Sequence, residues 1–115
     1  MEKELRRING LALWDYEVAK NEDGTLLILG SNDFVYYHYL EAEFSGVTYC
    51  DLPATFSHAQ FRLGRDSDES MSTIRVTAES MVTTSSTEFE IRATGLQIRV
   101  GKVYYYDRPS RKDGE

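Results

Sequence analysis

Apolar and polar residues alternate with period two along most of the chain, in short runs broken by Gly, Asn, Asp and Pro. That period marks strands with one face buried. Residues 11–19 put Ala12, Trp14, Tyr16 and Val18 on one face and Leu13, Asp15 and Glu17 on the other. Residues 20–24 read as a turn and residues 25–29 as a short apolar strand, so the two segments predict a hairpin. The longest run spans residues 34–44. It turns Phe34, Tyr36, His38, Leu40, Ala42 and Phe44 inward, and Val35, Tyr37, Tyr39, Glu41 and Glu43 outward. Ser45-Gly46 interrupts the run, as a bulge or a tight turn to residues 47–50. Leu52-Pro53 ends it, because proline offers no N–H to a ladder and restricts the residue before it.

The second half continues the pattern less regularly. Phe56, Phe61 and Leu63 call for burial, and residues 60–63 read as a short edge strand. Residues 64–70 form a polar loop. Residues 72–81 alternate on Ile74, Val76 and Ala78, and residues 87–93 on Phe89, Ile91 and Ala93. A Ser/Thr-rich turn is expected at residues 82–86. Thr94-Gly95 suits a two-residue hairpin turn, since glycine accepts positive φ. Residues 96–100 alternate again and residues 103–106 extend them past Gly101. Helical spacing occurs once, where Leu5 and Ile8 share a face of residues 1–9 with Asn9-Gly10 as the stop. The expected fold is mostly β: a single-domain antiparallel β-sandwich or partly open β-barrel of six to eight strands, with at most a short N-terminal helix. Residues 1–106 form the domain, and residues 107–115 read as a flexible charged C-terminal tail.

Composition narrows the function. The 115 residues suit one domain, and 41% hydrophobic with 28% charged residues is a globular balance. Thirteen basic against nineteen acidic residues give a net charge of −6. That sign excludes nucleic acid as the main partner, and it repels an anionic membrane surface. It permits a basic protein partner or a cationic ligand. No apolar run is long enough to span a membrane. Cys50 is the only cysteine, so no disulfide framework is expected. With no apolar leader in the first residues, a cytoplasmic location is expected. Within the apolar run of residues 47–50, Cys50 reads as a small buried hydrophobe.

No motif points to catalysis. His38 and His58 are the only histidines and lie far apart, without metal-ligand spacing. Residues 66–69 begin like a calcium loop but lack its glycine and distal glutamate. There is no nucleophile elbow, and single glycines at 30, 46, 64, 95 and 101 build no phosphate loop. Asp15/Glu17 and Glu41/Glu43 are carboxylate pairs on polar strand faces, where solvated acids are ordinary. No cofactor or metal is expected, and the protein reads as non-enzymatic.

The aromatics carry the functional reading. Consecutive tyrosines at 36–37 and 104–106 cannot all be core in a strand. Tyr37 and Tyr39 share the outward face with Glu41 and Glu43, which makes these four the candidate partner-binding residues. Trp14, Tyr36 and His38 are candidates to line an aromatic cavity in a small barrel. Arg75, Arg92 and Arg99 occupy polar strand positions and should pair with Glu79, Glu88 or Glu90 across strands. Pairing of Tyr-rich edge strands between subunits, giving a homo-oligomer, is a further alternative.

Residues 11–15 (Leu-Ala-Leu-Trp-Asp), followed by residues 24–28 (Gly-Thr-Leu-Leu-Ile), resemble the opening hairpin of small uncharacterised bacterial β-rich proteins. Residues 40–47 resemble the strand that follows in them. Some of those proteins are grouped with the immunity proteins of polymorphic toxin systems. Trp14 stands where related chains tend to have histidine. The resemblance implies a toxin-neutralising protein and assigns no site residue.

Overall fold

The computed structural model describes residues 1–80 and 85–104. Its first hairpin follows from turn chemistry. β1 (Asp15–Glu22) and β2 (Thr25–Ser31) pair antiparallel, as the alternation predicts. Asp23 (φ 53°) and Gly24 (φ 74°) join them, both in the left-handed region. That geometry matches the right-handed twist of the flanking strands. The chain continues through β3 (Tyr37–Ser45), β4 (Tyr49–Cys50), β5 (Thr55–Leu63), β6 (Ser72–Glu79), β7 (Thr87–Ala93) and β8 (Gly95–Tyr104). The eight strands form one antiparallel sheet in the order β4-β7-β6-β5-β1-β2-β3-β8. A single helix, α1 (Glu2–Gly10), precedes them. The mostly β, single-domain expectation holds, and the sheet is not closed.

Thr94-Gly95 is not a hairpin turn. β7 and β8 are separated by Thr94 alone, yet β7 pairs with β6 and β4, and β8 pairs with β3. The chain thus steps from the second strand at one end of the order to the last strand at the other across a single residue. Only a sheet curled until its ends approach permits that step. Thr94 stitches the corner, where its N–H donates to the Ser45 carbonyl at 2.9 Å. Gly46 (φ 62°) lies beneath it, where a Cβ would come within 2.1 Å of Thr94 Oγ1. Val47 N–H donates to the Gly24 carbonyl and Thr48 N–H to the Arg92 carbonyl, at 3.0 and 2.9 Å. Residues 46–48 therefore cross between the two halves of the curled sheet.

Both halves bury one core. Leu26, Ile28, Leu40, Ala42 and Phe44 from one half join Phe61, Ile74, Val76 and Ile91 from the other in a single buried cluster. Tyr16 stacks on Phe56 with ring centroids 5.3 Å apart and meets Phe61 edge-on at 5.6 Å. Burial pushes the Tyr16 phenol up to about 12.

β1 and β5 pair only over Asp15–Glu17 and Thr55–Ser57. A bulge then interrupts β5, with His58 at φ 52° and its N–H donating to the Trp14 carbonyl at 3.0 Å. Beyond the bulge, α1 takes the place of a neighbouring strand. Asn9 Nδ2 donates to the Phe61 carbonyl at 2.7 Å, and Phe61 N–H donates to Asn9 Oδ1 at 2.8 Å. A primary amide offers the same donor and acceptor as a peptide, so it satisfies the open backbone. Leu5 and Ile8 are buried from the same helix, as their spacing predicts.

Several further segments differ from the sequence reading, among them residues 20–22, expected as turn, which belong to β1. Residues 34–36 are a turn, and β3 begins at Tyr37. Asp33 organises that turn, since its carbonyl accepts from Tyr36 and Tyr37 N–H and its carboxylate from Val35 N–H. Trp14 and Ala12 precede β1, with Ala12 at φ 52°. β5 is a nine-residue inner strand in place of a short edge strand at 60–63. Residues 81–84, Tyr105, Tyr106 and the expected tail at 107–115 lie outside the described residues.

Candidate functional site

Three strands each carry two acids spaced i, i+2: Asp15/Glu17 on β1, Glu41/Glu43 on β3 and Glu88/Glu90 on β7. Two of these pairs hold an arginine. Arg99 lies directly opposite Glu41 on β8. Its Nε is 2.8 Å from Glu41 Oε1, and its Nη2 is 3.1 Å from Glu43 Oε1. The other Glu41 oxygen sits 2.7 Å from Nε2 of His38, which is 1% exposed. Hydrogen bonds from Arg99 first and His38 second hold the Glu41 carboxyl below its ordinary value. On β7, Arg75 Nη1 is 2.9 Å from Glu90 and 4.0 Å from Glu88. Arg62 meets Glu88 and Arg92 meets Glu90 on the same surface.

The pairing expected for Arg75 and Arg92 is present with Glu88 and Glu90. Arg99 instead pairs with β3. Tyr37, Tyr39, Glu41 and Glu43 alternate with the buried residues of β3, but Tyr39 packs against the core, and Arg99 and His38 engage the two acids. Tyr37 packs against Tyr104 with centroids 5.7 Å apart, and Lys102 Nζ lies over both rings at 5.2 and 5.9 Å. Tyr39 is half-buried beside Leu11 and Leu13 at a shallow hollow that Lys102 also lines. This face is therefore a closed network of cations and acids, and it differs from the open acidic surface that the sequence suggested.

Trp14, Tyr36 and His38 do not line a common cavity. Trp14 is 64% and Tyr36 60% exposed, whereas His38 is buried against Glu41. The reason is the Asp33 turn, which takes residue 36 out of the strand and ends its alternation.

The remaining pair, Asp15/Glu17, meets no arginine among the described residues. The residues opposite Asp15 are Ser31 and Ser57, and those opposite Glu17 are Leu29 and Thr55. Neither acid carries an ion pair among the described residues. Tyr16 and Phe56 point into the core, so Asp15, Glu17, Thr55 and Ser57 point away from it. Phe34 reaches over from the Asp33 turn, and Glu79 of β6 follows Ser57 across the sheet. Together these residues line an open hollow of about 330 Å³.

Exposed hydrophobics gather at the same end of the sheet. Trp14, Val35 and Tyr36 are three of the four large exposed hydrophobics among the described residues. Asn32 ties them together, since its Oδ1 accepts from Trp14 N–H at 2.8 Å just before the Asp33 turn. Sequence reasoning marked Asp15/Glu17 as a pair but placed Phe34 in the core. It also could not see that the flanking strands place no cation opposite these two acids, because that depends on strand order.

The other candidates are accounted for locally. His58 Nδ1 is 3.4 Å from Glu79, at the margin of the hollow. Cys50 is half-buried, and burial pushes its thiol up. Asp68 Oδ1 accepts from Ser70 N–H, Ser70 Oγ and Met71 N–H, so it caps its own turn. Those bonds hold the Asp68 carboxyl below its ordinary value. Among the described residues no group of three or more His, Cys, Asp or Glu is placed to hold a metal, and no helix is long and apolar enough to cross a membrane. No protein family, no curated protein and no solved structure matches this chain.

Proposed function

We propose that this protein is a non-enzymatic cytoplasmic binding protein that docks a basic protein partner at the β1–β5 end of its sheet. One observation carries the reading. Exposed Trp14, Val35 and Tyr36 are chain neighbours of Asp15 and Phe34, which help line a hollow where Asp15 and Glu17 have no ion pair among the described residues and Glu79 meets His58. Tryptophan and tyrosine are the usual anchors of protein interfaces, and unpaired acids beside them favour a cationic partner. The net charge of −6 acts in the same direction at long range. An immunity-type inhibitor of a basic toxin is the form of this reading that agrees with the resemblance of residues 11–15, 24–28 and 40–47.

The test begins with capture of a partner from the source organism at low salt. The purified partner is then titrated against the wild-type chain and the Trp14→Ala/Tyr36→Ala variant. A basic partner whose affinity falls at least about tenfold in the variant supports the reading. Undiminished affinity, or a retained partner that is acidic, overturns it.

A further inference from the structure

The three acid pairs give the molecule its own internal reference. On β3, Glu41 and Glu43 share the Arg99 guanidinium from the residue opposite Glu41, and on β7, Arg75, opposite Glu90, bonds Glu90 and lies 4.0 Å from Glu88, with Arg62 and Arg92 completing the set. Asp15 and Glu17 have the same spacing on β1, while the neighbouring strands offer Ser31, Leu29, Thr55 and Ser57. We infer that the hollow over β1 and β5 seats an arginine side chain of the partner, whose guanidinium bridges Asp15 and Glu17 as Arg99 bridges Glu41 and Glu43. This rests on the reading of the same end of the sheet as a docking surface.

Arginine fits better than lysine for two reasons. The guanidinium is a planar fork with five donors, so it engages two carboxylates at once, and an ammonium acts as a point charge. Phe34 gives the hollow an aromatic wall, on which a guanidinium plane stacks. Other acids lack this setting. Glu22 and Asp23 stand at the tip of the first hairpin, and Glu69 lies in the loop before β6.

The probe is a capped pentapeptide with one arginine between glycines, titrated into the full isotope-labelled chain and followed by amide shifts. Matched peptides carry lysine, or citrulline, which keeps the shape of arginine without its charge. The inference expects saturable shifts centred on residues 15–17, 34 and 55–57. It expects citrulline to bind at least about fivefold more weakly, with lysine between the two. The Asp15→Asn/Glu17→Gln variant, checked for an otherwise unchanged spectrum, should bring arginine down to the citrulline level. Equal binding of arginine and citrulline, shifts centred elsewhere, or full binding to the variant each overturn the inference. The two readings fail separately. Partner binding lost in Trp14→Ala/Tyr36→Ala, with no arginine preference in the peptides, keeps the docking surface and removes the arginine anchor. Partner binding untouched by that variant removes the docking surface even if arginine seats in the hollow.

Discussion

The β3–β8 face and the β1–β5 face begin from the same local chemistry and end with opposite character. Each presents two acids on one side of a strand, with aromatic residues nearby. On β3 the adjacent strand brings Arg99 opposite Glu41, and buried His38 takes the remaining oxygen. On β1 the adjacent strands bring serine, threonine and leucine. The first pair is thus part of what holds the sheet together, and the second is left facing solvent beside Phe34, Trp14 and Tyr36. Strand order, and not the acids themselves, decides which pair is structural and which is available to a partner.

Substitutions should separate the two faces. The largest effect is expected from Glu41→Ala, which removes the acceptor for both Arg99 and buried His38. A loss of about 2 kcal/mol in urea unfolding is expected. Arg99→Met should cost about 1 kcal/mol, because that pair is partly exposed and His38 remains with Glu41. Asp15→Asn/Glu17→Gln should change stability by no more than about 0.5 kcal/mol in either direction, since neither acid has an ion-pair partner among the described residues. A cost on β1 equal to that on β3 would break the comparison.

Acidity sharpens the same contrast. Arg99 and then His38 hold the Glu41 carboxyl below its ordinary value of 4.5. The unfolded chain therefore takes up that proton more readily than the folded one. The resulting stabilisation is present above that ordinary value and is lost as pH falls through the lower folded value. The Glu41 contribution to the stability gap between wild type and Glu41→Ala should accordingly narrow as pH falls below about 4. Urea midpoints measured at pH 7 and pH 3 check this. A gap that widens in acid would contradict it.

The sequence reading recovered what depends on local periodicity and missed what depends on strand order. The first hairpin, α1 with Leu5 and Ile8, and the strands around Ile74 and Ile91 follow from spacing alone. β5 escaped because Phe56 and Phe61 have opposite parity. The bulge at His58 restores both to the core, and a period-two reading has no place for it. Thr94-Gly95 has the composition of a hairpin turn, yet it forms a corner between opposite ends of the sheet. That one misreading carried furthest. With β8 placed beside β7, Arg99 has Glu88 and Glu90 as neighbours, and Glu41 and Glu43 look open. With β8 beside β3, their charge is engaged. Phe34 and Tyr36 were misplaced for a related reason, since the Asp33 turn takes up the first three residues of an apparently continuous strand, whose alternation starts only at Tyr37.

The most direct measurement is the affinity of the captured partner for two double variants, Asp15→Asn/Glu17→Gln and Glu41→Gln/Glu43→Gln, by calorimetry under conditions where both are folded. The β1 pair should be the one that matters, with binding at least about tenfold weaker in the first variant and within about twofold of wild type in the second. The reverse order, with the β3 pair carrying the affinity and the β1 pair silent, would contradict the account.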